Sequence, residues 1–327
     1  MLKDIVDLVR NYEGLTRKRP ISPIIEELGP VENMGQTIHG FGEDCAVIDH
    51  EGHYLLLAAE SIWSRLLEDP EWAGYCSVLA NVNDVYAMGG RPLAIVNTLT
   101  FRDEQEGRLL AKGMKAGSLK FRVPIVGGHV QPASDSPAIS LFILGAAQNP
   151  LSSFGCKAGD DIVVATDLVG RMKSRFLNFD STSGKSSEDV LLRLGALVEI
   201  ADKGSASAAK DISNPGVLGT IAMLLETSGV GADVDVGAIP KPESVDMSSW
   251  VLTYPGCGFI LTCDRTRTDE TLDILREREL GTAVVGRATG ERKMRVSLGD
   301  ESRVLFDLEN EIITGATPAQ PSGAGDE

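Results

Sequence analysis

The chain is short of basic charge, of paired cysteines and of long apolar runs, and each shortage removes a class of function. Against 47 acidic residues stand 31 basic ones, a net charge of −16. That balance repels nucleic acid and anionic membrane unless a local basic patch overrides it. The one basic run, TRKRP at 16–20, lacks interleaved aromatics and reads as solvated surface, able at most to touch a phosphate. Five cysteines, Cys45, Cys76, Cys156, Cys257 and Cys263, are odd in number and never spaced as CxxC. Neither a disulfide framework nor a zinc site is supported, and a reducing cytoplasm fits. The start MLKDIVDLVRNYEG carries charges every few residues, and no later run reaches the length of a membrane span. The chain is therefore expected in the cytoplasm, away from membranes. It contains no GxxxxGK[ST] loop, and VGGHV at 126–130 is too short for a dinucleotide fingerprint, so any nucleotide site is of another kind.

What is present is a globular composition: 327 residues, 43% hydrophobic, 24% charged, with 35 glycines for tight turns. That length predicts two domains of roughly 150 residues each. Leu2, Ile5, Leu8, Val9 and Tyr12 predict an amphipathic helix over 2–13. The runs at 45–49 and 54–59, separated by HEGH, predict a hairpin. A helix over 69–88, a strand over 93–99, a helix over 103–120 and strands over 123–126 and 138–147 complete an α+β domain, 1–150, closed by Pro150. A second mixed domain, 151–314, has helices near 188–202, 215–228 and 268–279 and strands near 230–236, 257–263, 282–288 and 293–298. The tail 315–327 has turn formers and little to bury, and is expected to be disordered.

Acidic residues gather at element ends. On the helix over 69–88, Ser77, Asn81, Asp84 and Met88 step by four, three and four along one face, while Asn83 falls off it. Upstream, GFGEDCAVI puts Glu43 and Asp44 just before an apolar strand, where an unpaired carboxylate is costly. Glu60 ends the next strand, and Asp211 stands in KDISNPGVLG before a helix. Several carboxylates beside glycines match an oxygen-liganded Mg²⁺ site. A nucleotide triphosphate is itself an anion, so carboxylates meet it only through bridging Mg²⁺, while Gly42, Gly127 and Gly128 would offer N–H groups to phosphates. Each motif alone also reads blandly: Asp84 as a helix-end carboxylate, GED as a turn, Asp211 as a turn opening a helix at Pro215, and His129 as satisfying a local hydrogen bond. His39, His50 and His53 read as surface residues.

In combination, GEDCAVI, NVNDVYAMGGRP, VGGHV and DISNPGVLG resemble, in that order, the motifs of the AIR synthase-related (PurM-like) superfamily. That superfamily holds aminoimidazole ribonucleotide synthetase, selenophosphate synthetase, thiamine-monophosphate kinase and a carbamoyl-dehydrating hydrogenase maturation factor. The resemblance spans about residues 1–310 and is strongest to uncharacterised members such as methanogenesis marker protein 2. It implies a ferredoxin-like α/β N-terminal domain, an α+β C-terminal domain, a homodimer joined through its N-terminal sheets, and ATP with Mg²⁺ between domains. Asp44, Asp84 and Asp211 carry over as metal ligands. Glu60 stands where the family has Asp, and Glu43 replaces the first Asp of a pair. Absent are an N-terminal Cys or selenocysteine, a C-terminal Cys, and the Asp-Gly-Val-Gly-Thr-Lys and Glu-Gly-Val-His-Phe substrate segments. Substrate recognition is thus expected to differ from all four.

Two functions follow as expectations. One is Mg·ATP-dependent phosphorylation, or activation, of a small cytosolic metabolite. In it Asp44, Glu60, Asp84 and Asp211 hold Mg²⁺, and Glu43 and Asn81 help bind the cofactor. Arg91, Lys210 or Arg171 would offset phosphate charge, and His129 would serve as the acid or base. The other is an ATP-binding maturation or regulatory partner that transfers nothing alone.

Overall fold

Leu2, Ile5, Val6 and Val9 share one face of α1 (Leu2–Asn11) and all four are buried, yet the surface they cover is not the one nearest in sequence. The structure, a computed structural model, describes residues 1–317. After α1 come two short helices, α2 (Glu13–Thr16) and α3 (Ser22–Leu28). The N-terminal sheet follows: β1 (Thr37–His39), β2 (Ala46–His50), β3 (His53–Ser61), β4 (Arg91–Thr100), β5 (Ile125–Gln131) and β6 (Ala138–Ala147). Its spatial order is β1-β2-β3-β6-β4-β5, antiparallel except for the parallel pair β4 and β5. Two 18-residue helices cover one face: α4 (Pro70–Ala87), capped by the Asp69 side chain, and α5 (Glu104–Phe121), capped by Asp103. The two-domain α+β class expected from sequence is what forms. Within this half the connection order is β-α-β-α-β-β, because α5 crosses over between neighbouring parallel strands, and not the β-α-β-β-α-β of a ferredoxin-like unit.

The second half is built on a seven-stranded sheet. Its elements are β7 (Asp161–Thr166), β8 (Arg171–Lys173), β9 (Asn178–Asp180), α6 (Ser187–Lys203), β10 (Ala208–Asp211), α7 (Gly216–Ser228), β11 (Gly231–Asp235) and α8 (Met247–Trp250). They continue with β12 (Tyr254–Pro255), β13 (Gly258–Cys263), α9 (Thr268–Glu277), β14 (Gly281–Thr289), β15 (Lys293–Leu298) and β16 (Glu301–Asp307). The large sheet runs β10-β13-β7-β14-β11-β15-β16, and β12-β9-β8 form a small one.

Two apolar clusters hold the molecule, and neither respects the midpoint of the chain. One joins α4 and the N-terminal sheet to Val163, Leu194, Leu197 and Leu275 of the second half. The other places α1, through Leu2, Ile5 and Val9, against Ile221, Leu305 and Phe306. The first helix therefore packs on the C-terminal sheet. Helix α4 is consequently enclosed, with all but three of its 18 residues buried. One side meets its own sheet and the other meets α6 and β10. Of the tail expected to be disordered, Gly315–Thr317 are described and Ala316 is buried; 318–327 lie outside the described residues.

Candidate functional site

Three segments far apart in sequence converge where α4 faces the second half. The turn before β2 supplies Asp44, the last turn of α4 supplies Asp84, and the end of β10 supplies Asp211. Oxygens of the three carboxylates lie within 4.8 Å of one another. Asp84 Oδ2 is buried without a hydrogen-bond partner among the described residues. Asp44 is engaged on both oxygens: Lys210 Nζ donates to Oδ1, and the Asp211 N–H donates to Oδ2 at 3.0 Å. Burial drives the Asp84 carboxyl well above its ordinary range, and the charges of Asp211, Glu60 and Asp44 push it further. Asp211 is raised by burial and then by Asp44. Burial opposes the charge of Lys210, but Asp44 and its hydrogen bond win and leave the ammonium firmly protonated.

One ammonium among three aspartates leaves negative charge uncompensated. An orphaned buried carboxylate oxygen and an all-oxygen donor set are what a hard divalent cation needs, and a modest inward shift would bring the oxygens to its coordination distance. The residues present therefore fit Mg²⁺.

Beside the aspartates a cavity of about 120 Å³ opens between the halves. Glu60 lines it, with burial and Asp44 raising its carboxyl while Lys18 opposes. The Glu60 side chain keeps solvent access through the cavity, although protein atoms enclose it on its other sides.

The two asparagines of α4 divide their work the other way round from the sequence expectation. Asn81 is fully buried and donates to the Ser77 carbonyl of its own helix at 2.9 Å. Asn83, off the expected face, lines the cavity. Because α4 is buried all round, no bland solvated face existed to receive it. Glu43 anchors the chain between the halves: Ser153 N–H donates to Oε2 at 2.6 Å, and the Ser152 hydroxyl donates to Oε1. The Gly42 carbonyl accepts from Lys210 at 3.4 Å.

The remaining candidates stand apart from the cluster. His129 pairs with Thr98, Thr98 with Ser140, and Ser140 with Ser61. It is therefore three strands, roughly 14 Å, from Ser61. Alternation puts Ser61 and Glu60 on opposite faces, so His129 projects from the face turned away from the aspartates. Gly127 and Gly128 lie on the same exposed edge strand. Arg91 is exposed at the start of β4, beside the Tyr86 hydroxyl. Arg171 pairs with Asp180 at 3.2 Å.

Sequence reasoning overlooked much of the cavity wall. Arg17 and Lys18 come from the basic run read as solvated surface; Trp63, Asn178 and Tyr254 carried no recognisable pattern. Only TRKRP held a usable signal, its charge sign being opposite to that of the acidic motifs.

Two family models match the chain: the AIR synthase related protein N-terminal domain over residues 42–147 and its C-terminal domain over 157–299. An uncharacterized protein of Methanocaldococcus jannaschii is 41% identical over 321 residues, 96% of this chain and 99% of that one. Among solved structures, T. maritima PurL complexed with ATP superposes with a TM-score of 0.72 at 19% identity, covering 87% of this chain and 48% of that one. The chain thus spans about half the length of that relative. ThiL complexed with AMPPCP and TMP gives a TM-score of 0.63 at 18% identity, covering 87% of this chain and 96% of ThiL. At such identities the likeness is one of fold.

Proposed function

Since the chain belongs to the AIR synthase related family, we propose that it uses Mg·ATP to phosphorylate, or activate by phosphorylation, a small metabolite in the cytoplasm. One observation carries this reading: three aspartates from three segments gather with a single ammonium and an orphaned Asp84 oxygen. Structural neighbours bound to ATP and AMPPCP support the nucleotide. In this reading Asp44, Asp84 and Asp211 hold Mg²⁺ with Glu60 beside them. The metal, when bound, would supply the positive charge that lets carboxylates meet a polyphosphate.

The chain's own residues do the rest. Lys210 holds Asp44 in place before metal arrives, and Glu43 ties the turn that carries Asp44 to Ser152 and Ser153. In the transfer, an acceptor hydroxyl oxygen bonds to the γ-phosphorus, the bond to the β-bridging oxygen breaks, ADP leaves, and the hydroxyl proton passes to solvent or to a carboxylate.

A homodimer is part of the same proposal. The outer face of the N-terminal sheet exposes Leu57, Val96, Phe142 and Leu144 side by side, between 37% and 45% accessible. A second copy covering it would bury that apolar surface.

The test is calorimetric titration of ATP with Mg²⁺ and with EDTA, followed by a metabolite screen for ATP-dependent mass gain of one phosphate. Wild type should bind ATP only with the metal, and Asp44→Asn should give no product. Binding that ignores both Mg²⁺ and Asp84→Asn would sink the reading. One observation favours a second reading, an ATP-binding partner protein without turnover of its own: among the described residues no histidine lines the cavity. Tight Mg·ATP binding with an empty screen would select it.

A further inference from the structure

Residues 311–317 form neither helix nor strand, yet Ile313 and Ala316 are both buried. A carboxylate holds them there. Glu226, near the end of α7 and only 2% exposed, accepts from the Ile313 N–H at 2.7 Å, the Thr314 N–H at 2.8 Å and the Thr314 hydroxyl at 2.7 Å. A buried carboxylate is costly unless it is hydrogen-bonded, so lifting residues 313–314 would strand both of its oxygens.

The segment held in this way lies on the loop that carries Asp44. Gly42 has a φ of +104°, and a Cβ on it would meet the Ala316 methyl at 2.8 Å, the Phe154 ring at 2.9 Å and the Thr227 methyl at 3.2 Å. Gly315 lies just as closely on Ser22, at the start of α3. The Gly42 carbonyl and Asp44 share one donor, Lys210 Nζ, so a loop that slides at Gly42 moves Asp44 relative to Asp211. On its other side the loop is tied through Glu43 to Ser153, whose carbonyl accepts from the Thr227 and Ser228 hydroxyls, each at 2.8 Å. The last turn of α7 therefore grips both walls of the loop.

We propose that Glu226 is a positioning residue for the metal site: by pinning residues 313–317 as a strap on Gly42, it keeps the loop before β2 seated and Asp44 opposite Asp84 and Asp211. The inference rests on the reading of those aspartates as Mg²⁺ ligands. Glu226 touches neither metal nor substrate and acts through Asp44. The strap lies beyond both stretches matched by the family models, 42–147 and 157–299, so the family likeness does not supply it. Whatever draws 313–317 off its seat weakens the site from outside it.

Calorimetric titration of Mg²⁺, together with amide hydrogen exchange of residues 40–44 in EDTA, tests the proposal on the full chain. Glu226→Gln turns a donor toward the N–H groups of the strap. Gly315→Val puts a β-branched side chain at a φ of +82° and against Ser22, on a partly exposed residue, and serves if Glu226→Gln fails to fold. Either variant should speed exchange at 40–44 and raise the Mg²⁺ Kd about tenfold, as for a loop seated about a tenth of the time. Val296→Ala, a cavity in β15 with four strands between it and β10, should lower the melting temperature in EDTA and leave both readings alone. The proposal is overturned if the folded variants keep the wild-type Kd or wild-type exchange at 40–44, or if Val296→Ala shifts both readings as far. Wild type that takes up no Mg²⁺ sinks the metal reading and the positioning role with it, even where faster exchange still shows the strap on the loop. Intact Mg²⁺ binding with unchanged exchange sinks the strap alone.

Discussion

Asp84 shows at the scale of one residue how a site is held in readiness at a cost to the fold. Its carboxylate is buried among Asp44, Asp211 and Glu60 with one oxygen unpartnered, so neutralising it relieves repulsion. Asp84→Asn should therefore raise the melting temperature in EDTA by roughly 1–2 °C, about 1 kcal/mol for a chain of this size. It should also abolish the rise that Mg²⁺ gives wild type, about 2.7 kcal/mol at a hundredfold excess over Kd. Thermal scans with and without metal check both halves. The five cysteines make a second case, since all are buried and free. Burial pushes Cys263 up to about 11 and Cys156 up to about 12. A raised thiol pKa favours the protonated folded form, so this contribution is intact below pH 9 and is lost as pH climbs through 11 to 12. A thiol reagent at pH 8 should titrate none of the five until urea unfolds the chain.

Among elements, α4 and α5 meet backbone to backbone. A Cβ on Gly74 would strike the Leu110 carbonyl of α5, and one on Gly113 would strike the Glu71 carbonyl of α4. Neither neighbour is a flexible side chain that can step aside. Gly113→Val should cost about 1–3 kcal/mol in urea denaturation. Gly29→Ala, with nothing within 4 Å and an ordinary helical φ of −52°, should be close to neutral. The pairing matters for the site because α4 carries both Asn83 and Asp84. Sequence periodicity located this helix well, from apolar spacing, but misjudged which of its asparagines lines the cavity. Periodicity assigns faces relative to one partner, and α4 has partners on every side.

The whole molecule behaves as one body because one apolar cluster runs through both halves and α1 crosses to the C-terminal sheet. Differential scanning calorimetry should show a single unfolding transition; two separated peaks would contradict a shared core. Glu43→Gln should lower that transition by about 1–3 kcal/mol, the cost of leaving one donor of the Ser152–Ser153 segment unmet. If the exposed face of the N-terminal sheet is a subunit interface, Phe142→Asp should halve the mass in sedimentation while the fold survives. Each measurement reads a property that belongs to no single element.

By itself the sequence determined the α+β class, the order of most helices and strands, the family and the three aspartates, because apolar periodicity, caps and short motifs are local signals. Distance across the fold is not local. Only the tertiary structure decided that Glu43 ties the two halves together, that His129 looks out from the far face of the sheet, and that two residues of a basic run read as surface line the cavity. Strand parity and the all-round burial of α4 settled those placements, and both come into being only when the segments pack.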